Sequence, residues 1–149
     1  MNHCADCGAE ITSEEGCSAY FHQMLYREHE YPALGVVHHL MVLCYHIQHP
    51  HLYSAEGLRG AVELLRQFVE AGKSPAQMRQ QIRRQVDSGQ RGYKIKASGD
   101  SVGAHRFAVR WTMTAQDVVA GGSDHYIERV EKWARTMLDD LRTSDNLLL

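Results

Sequence analysis

The chain has 149 residues, of which 44% are hydrophobic and 23% charged, and its formal net charge is −2. This composition excludes disorder over the whole length and suits one globular domain, with or without a small appended module. No apolar run reaches the ~18 residues of a membrane-spanning helix, and the first residues lack a signal-peptide pattern. We therefore expect a soluble, cytoplasmic protein without a membrane partner.

The first half of the chain predicts a loop followed by three helices. Apolar residues recur at helical spacing over residues 17–30, 33–48 and 54–71, and the residues before them read as loop. Pro32 and Pro50 separate the three segments, because proline and the residue before it leave the helical conformation. The third helix begins at a serine N-cap and ends at a glycine.

The second half predicts further helices and a small hairpin. A fourth helix opens at Ser74-Pro75 and closes near Gly89, and apolar and polar residues alternate in residues 92–112, which predicts a β-hairpin there. A short helix follows a capping-box-like start at residues 114–117, and Ser123 is expected to cap the last helix. The predicted fold is mainly α, a compact bundle of about five helices. Its helical domain covers residues 17–149, and a zinc-knuckle segment, residues 1–22, docks on it.

Three of the four cysteines lie near the start of the chain. Cys4 and Cys7 are separated by two residues, Cys17 follows after nine more, and His22 after another four. Two thiolates at this spacing bend around one cation, and Gly8 tolerates the turn that follows. The pattern predicts that Cys4, Cys7, Cys17 and His22 bind zinc. A thioredoxin-like redox pair and cysteines without a role are the alternatives, and the lack of a preceding strand disfavours the redox pair.

The predicted second helix is rich in histidine and apolar on most of its circumference. On a helical wheel His38, His39 and His46 share the polar side, and His49 joins them if the helix extends that far. His38, His39 and His46 are also rival fourth zinc ligands, because a distant element can supply one ligand. An alternative function is a metal-dependent enzyme that uses the His38/His39/His46/His49 face on a small substrate. Structural histidines bonded to carbonyls or carboxylates are the simpler interpretation.

A basic stretch runs from Lys73 to Lys96, with seven Lys or Arg residues against one acid, Asp87. Such stretches bind phosphate in nucleic-acid-binding proteins, and Tyr93 and Trp111 are residues that can stack on bases. Nucleic-acid binding is therefore a second alternative. No recognised reading motif accompanies the charge, so a solvated helix face is the simpler interpretation.

Several longer motifs extend over most of the chain: Cys4-x-x-Cys7-Gly8-Ala9, Phe21-His22-Gln23-Met24-Leu25, His38-His39-Leu40-Met41-Val42-Leu43-Cys44-Tyr45, Gln48-His49-Pro50, Asp87-Ser88-Gly89-Gln90-Arg91, Arg110-Trp111-Thr112-Met113-Thr114-Ala115 and Asp117-Val118-Val119. Together they resemble an uncharacterised bacterial family of unknown function. The resemblance implies a small bacterial cytoplasmic protein with no assigned reaction, and it supplies no catalytic residue.

These observations predict a small zinc-binding protein in which the metal is a structural staple of an interaction or binding module. The metal would pin the N-terminal segment onto the first helix and so contribute directly to its folding. A protein partner or self-association suits such a module. We expect no enzymatic role for the site, and the sequence identifies neither a substrate nor a catalytic residue.

Overall fold

The computed structural model describes residues 2–74, 76–77, 80–81, 83–84 and 102–147. At its start, strand β1 (Asn2–His3) pairs antiparallel with strand β2 (Glu10–Ile11). The loop between the two strands carries Cys4 and Cys7. This N-terminal hairpin (residues 2–11) packs on the helices, because Cys7 and Ala9 belong to the same buried cluster as the helical core.

Three helices follow the hairpin, and short turns of 3₁₀ helix connect them. They are α1 (Ser18–Glu30), α2 (His38–Gln48) and α3 (Ala55–Glu70), with 3₁₀ turns at Pro32–Val37 and Pro50–Leu52. Both turns begin with a proline at the point where the sequence predicts a break. The N-cap of α3 is the predicted one, since its serine oxygen accepts a hydrogen bond from the Gly57 amide at 2.9 Å.

Two further helices complete the described fold. Helix α4 (Ala115–Ala120) begins with a capping box, in which the Thr114 amide donates to the Asp117 carboxylate at 2.9 Å. Helix α5 (Tyr126–Thr143) is the longest element. Residues 76–77, 80–81 and 83–84 are also helical, and the rest of the predicted fourth helix lies outside the described residues.

The core lies around α2, which contacts both α3 and α5, while α1 contacts α4. Helix α2 is buried on most of its circumference, as the wheel predicts, and α3 and α5 each bury one stripe. The side chains below 2% exposure include Leu40, Met41, Ile47, Leu65, Trp133, Met137, Leu138 and Leu141. Over the described residues the fold is therefore mainly helical with a two-stranded antiparallel hairpin, which confirms the predicted fold class.

The predicted second and last helices differ in their starting residues. Residues 32–37 form a 3₁₀ turn and not the first turns of α2. This segment contains Pro32, Gly35 and two valines, which are residues with low α-helix propensity. Ser123 does not cap the last helix. The helix begins after His125, which takes the left-handed conformation with φ of 62°, and the Ser123 carbonyl accepts the Tyr126 amide.

The hairpin predicted near 92–112 lies partly outside the described residues. In its described part, 102–112, Val102 forms an isolated bridge with Ser54, and residues 103–112 contain no strand. The two-stranded sheet is instead at the N-terminus. Most of the basic Lys73–Lys96 stretch also lies outside the described residues. Among the helices that are described, none has both the length and the apolar character required to cross a bilayer.

Candidate metal centre

Three cysteine thiols and one imidazole converge where the N-terminal hairpin meets the end of α2. The ligand atoms of Cys4, Cys7, Cys17 and His49 all lie within 4.8 Å of one another. The Cys7 and Cys17 Sγ atoms are 3.4 Å apart, and Cys4 Sγ is 3.6 Å from His49 Nε2. Cys7, Cys17 and His49 are buried, whereas Cys4 is partly exposed, and all four cysteines of the chain are free thiols.

The hairpin loop holds Cys4 and Cys7 on one side of a tight turn. The Cys4 amide donates to the Ala9 carbonyl at 2.8 Å, and the Gly8 amide donates back to the Cys4 carbonyl at 2.9 Å. Gly8 has φ of 87°, a conformation that a residue with a side chain rarely adopts. The glycine after the second cysteine therefore has the conformational role that the motif predicts.

Cys17 is the N-cap residue of α1, so the start of that helix is part of the site. Two polar contacts position the hairpin against the helices: the Tyr20 hydroxyl donates to the Glu10 carbonyl, and the Glu10 amide donates to Gln116 Oε1 at 2.9 Å. These two hydrogen bonds therefore connect the hairpin that carries Cys4 and Cys7 to both α1 and α4.

His49 reaches the cysteines because α2 ends there. Pro50 excludes the helical conformation for the preceding residue, and His49 takes φ of −126° and ψ of 65°. Its Nδ1 donates to the Tyr45 carbonyl at 2.7 Å, and the Tyr45 ring stacks on the imidazole with centroids 4.1 Å apart. Because Nδ1 donates to this carbonyl, Nε2 faces the sulfurs, and a metal that displaced any proton on Nε2 would meet the lone pair it requires.

The pKa values of Cys7 and His49 reflect burial and close packing of the thiols and the imidazole. A hydrogen bond with Cys17 and burial raise the pKa of the Cys7 thiol to about 12. Burial lowers the pKa of His49, but hydrogen bonds with Cys7 Sγ and the Tyr45 carbonyl outweigh it and raise the pKa to about 9. Several thiolates at this spacing repel one another unless a cation lies between them. A divalent metal supplies that charge and releases the thiol protons.

The spacing of the ligand atoms suits tetrahedral coordination. Two sulfurs that are each 2.3 Å from one ion lie about 3.8 Å apart, and a sulfur and an imidazole nitrogen about 3.6 Å apart. The observed 3.4 and 3.6 Å fit this geometry with small adjustments. Four protein ligands fill all four positions, so the donor set is that of a closed site without an open position for a substrate.

The structure brings the three predicted cysteines together but places His22 elsewhere. The His22 side chain is 61% exposed, and its Nδ1 lies 2.7 Å from the Glu15 carboxylate. Five residues along a helix correspond to a rotation of 500°, so residue 22 points about 140° away from Cys17. The prediction of His22 as the fourth member of the cluster is corrected to His49.

The remaining histidines of α2 do not join the cluster. His38 Nδ1 lies 2.7 Å from the carboxylate of buried Glu28, and the His39 ring makes an edge contact with His38. The His46 ring lies near Phe21 and Tyr53, with centroids 6.0 and 5.2 Å away. Within the described ranges, the group around His49 is the one set of three or more side chains that converges as a metal site would. The histidines of the predicted polar face therefore have different neighbours and do not form one site.

A signal for His49 was present in the sequence. The residue stands at the end of an apolar helix and directly before proline, so its side chain does not continue either face of the helical wheel. In the structure His49 has only 4% exposure, and a buried polar side chain requires a partner, but this burial is not visible in the sequence. Spacing near the cysteines could not reveal it, because 45 residues separate it from Cys4.

Comparison with protein families gives a match over most of the chain. Residues 2–142 match DUF5946, described as a family of unknown function, so the match includes the whole Cys/His cluster. Neither a curated protein nor a solved structure matches the chain. The resemblance stated from the sequence motifs is confirmed, and the chain belongs to DUF5946, a family of unknown function.

Proposed function

We propose that this protein binds one zinc ion through Cys4, Cys7, Cys17 and His49, and that the metal is a structural staple. The observation that carries the proposal is the convergence of three thiols and one correctly oriented imidazole within 4.8 Å. Thiolates favour zinc over harder divalent cations, and a closed Cys₃His set is a recurrent structural zinc site. A reducing compartment such as the cytoplasm keeps the thiols available for the metal.

The staple would hold together three parts of the fold that are distant in sequence: the hairpin loop, the start of α1 and the end of α2. The hairpin has little apolar surface of its own, with Cys7 and Ala9 as its buried apolar residues. Metal binding therefore contributes to the folding of this segment, since an unfolded N-terminus has no preformed site.

In this proposal the ordered hairpin also forms a binding surface. A cleft of about 570 Å³ lies between the loop, residues 4–9, and the segment 108–112. Without the staple, one wall of the cleft has few contacts that hold it in place. This makes the metal part of an interaction or binding module rather than a catalyst.

The test is metal analysis of the purified full chain and of matched histidine variants. We expect about one zinc per chain in the wild type. His49→Ala should lose most of the metal, whereas His22→Ala should keep it, because His22 lies outside the cluster and is bonded to Glu15. Replacement by cobalt should give thiolate-to-metal absorption bands that disappear in Cys7→Ser. Metal loss in His22→Ala with retention in His49→Ala would refute the assignment.

A further inference from the structure

Two of the four ligands of the proposed site, Cys7 and Cys17, lie side by side. The Cys7 and Cys17 Sγ atoms are 3.4 Å apart, and Cys4 Sγ lies 3.6 Å from His49 Nε2. A disulfide has an S–S distance of about 2.05 Å, so bonding Cys7 to Cys17 requires the sulfurs to approach by about 1.4 Å. The Cys-x-x-Cys motif alone would pair Cys4 with Cys7, and the structure favours a different pair.

The cleft beside the site gives small oxidants a route to one member of this pair. Cys4 and Cys7 both line the cleft of about 570 Å³, and Cys17 is absent from its lining. A molecule the size of hydrogen peroxide in the cleft is therefore next to Cys7, whereas Cys17 does not border the cleft. The fourth cysteine, Cys44, is fully buried in the helical core and does not line this cleft.

We propose that hydrogen peroxide converts Cys7 and Cys17 into a disulfide and releases the metal, an inference that rests on the proposed zinc site. The Cys7 thiolate attacks one peroxide oxygen and breaks the O–O bond, which gives a sulfenic acid and hydroxide. The Cys17 thiolate attacks the Cys7 sulfur, forms the S–S bond and expels a second hydroxide. Two protons convert both hydroxides into water, so two thiolates lose two electrons and one peroxide gains them.

The oxidised site would bind the metal more weakly than the reduced site, but it would still connect the hairpin loop to α1. Zinc would retain Cys4 and His49 as its only protein ligands, and two ligands do not hold a structural ion. The new covalent bond still joins the hairpin loop to the start of α1, because Cys17 is the N-cap of that helix. The cluster therefore acts as a peroxide-sensitive switch that exchanges a metal staple for a covalent one.

The experiment treats zinc-loaded full-length protein with graded hydrogen peroxide and follows zinc release with a colorimetric chelator. Alkylation and peptide mass spectrometry then locate the disulfide. We expect one zinc released per Cys7–Cys17 disulfide, with unchanged behaviour in the control Cys44→Ser. Cys17→Ser should stop at a Cys7 sulfenic acid that dimedone traps, and Cys4→Ser should still form the Cys7–Cys17 bond.

Three results would overturn the proposal: a disulfide that contains Cys4, over-oxidation of Cys7 without a disulfide, or zinc and thiols that survive the peroxide. A parallel sample of reduced, metal-free protein separates the two proposals. If the purified protein holds no zinc but peroxide still joins Cys7 to Cys17, the zinc assignment fails and the pairing stands. If zinc is present and a different pair forms, the switch fails and the zinc site stands.

Discussion

Removing one hydroxyl from the interior should destabilise the protein measurably. The Tyr126 hydroxyl donates to Glu28 Oε2 at 2.5 Å, and the other carboxylate oxygen lies 2.7 Å from His38 Nδ1. The Glu28 side chain is only 7% exposed, so its oxygens depend on these partners instead of water for hydrogen bonds. Because Glu28 lies on α1, His38 begins α2 and Tyr126 begins α5, this carboxylate joins three helices.

Tyr126→Phe keeps the packing of the ring and leaves one oxygen of Glu28 without its buried donor. A hydrogen bond to a charged group contributes about 1.5–3 kcal/mol, so we expect unfolding to become easier by about 2 kcal/mol. For a chain of this size the melting temperature should fall by about 4–8 °C. Urea denaturation and thermal melts measure both quantities.

Tyr26→Phe is the matched control, since Tyr26 also lies on α1 and is 63% exposed. It should change stability by less than about 0.5 kcal/mol. A double-mutant cycle with Glu28→Gln should show that the effect of Tyr126→Phe shrinks when the carboxylate is absent. If Tyr126→Phe is as stable as the wild type, the buried carboxylate does not depend on this hydroxyl and the argument is refuted.

Three further predictions concern the backbone, pH and the metal. Gly103→Ala should lower the free energy of unfolding, measured by urea denaturation, by about 1–3 kcal/mol, because the added Cβ would lie 2.9 Å from the Pro50 carbonyl oxygen. Gly35→Ala is the control: its Cβ meets no atom within 4 Å, so its stability should be nearly unchanged. Burial lowers the pKa of His105 below its usual 6.5. The stability that neutral His105 contributes is therefore present above pH 6.5 and is lost as the pH falls. His105→Gln should weaken this pH dependence of the melting temperature, measured between about pH 5 and 7.5. Cys7→Ser should lose zinc and open residues 1–20 to limited proteolysis, and an uncleaved N-terminus would contradict the staple.

The helices were predictable because their signals are local. The third helix has a serine N-cap, one apolar stripe and a glycine just beyond its end, and each signal agrees with the others. The start of α5 shows the limit of such signals. Ser123 has the residue type of a cap, but the chain turns again at His125 before the helix begins, and the first helical residue, Tyr126, bonds to Glu28 of a distant helix, a contact that no local signal reveals.

The site was predictable to the extent that its ligands are close in sequence. Cys4, Cys7 and Cys17 belong to one short segment, so their spacing alone indicates that they can surround one ion. The fourth ligand depends on the tertiary structure. His49 reaches the sulfurs because α2 is held between α3 and α5 and because Pro50 ends that helix beside the hairpin. His22 is close in sequence, yet its helix turns it toward solvent and Glu15. A histidine that is close to the cysteines in sequence is therefore a weaker candidate for the fourth ligand than a buried histidine at a helix end. A buried imidazole without a polar partner costs free energy, wherever it lies in the chain, so it must have such a partner.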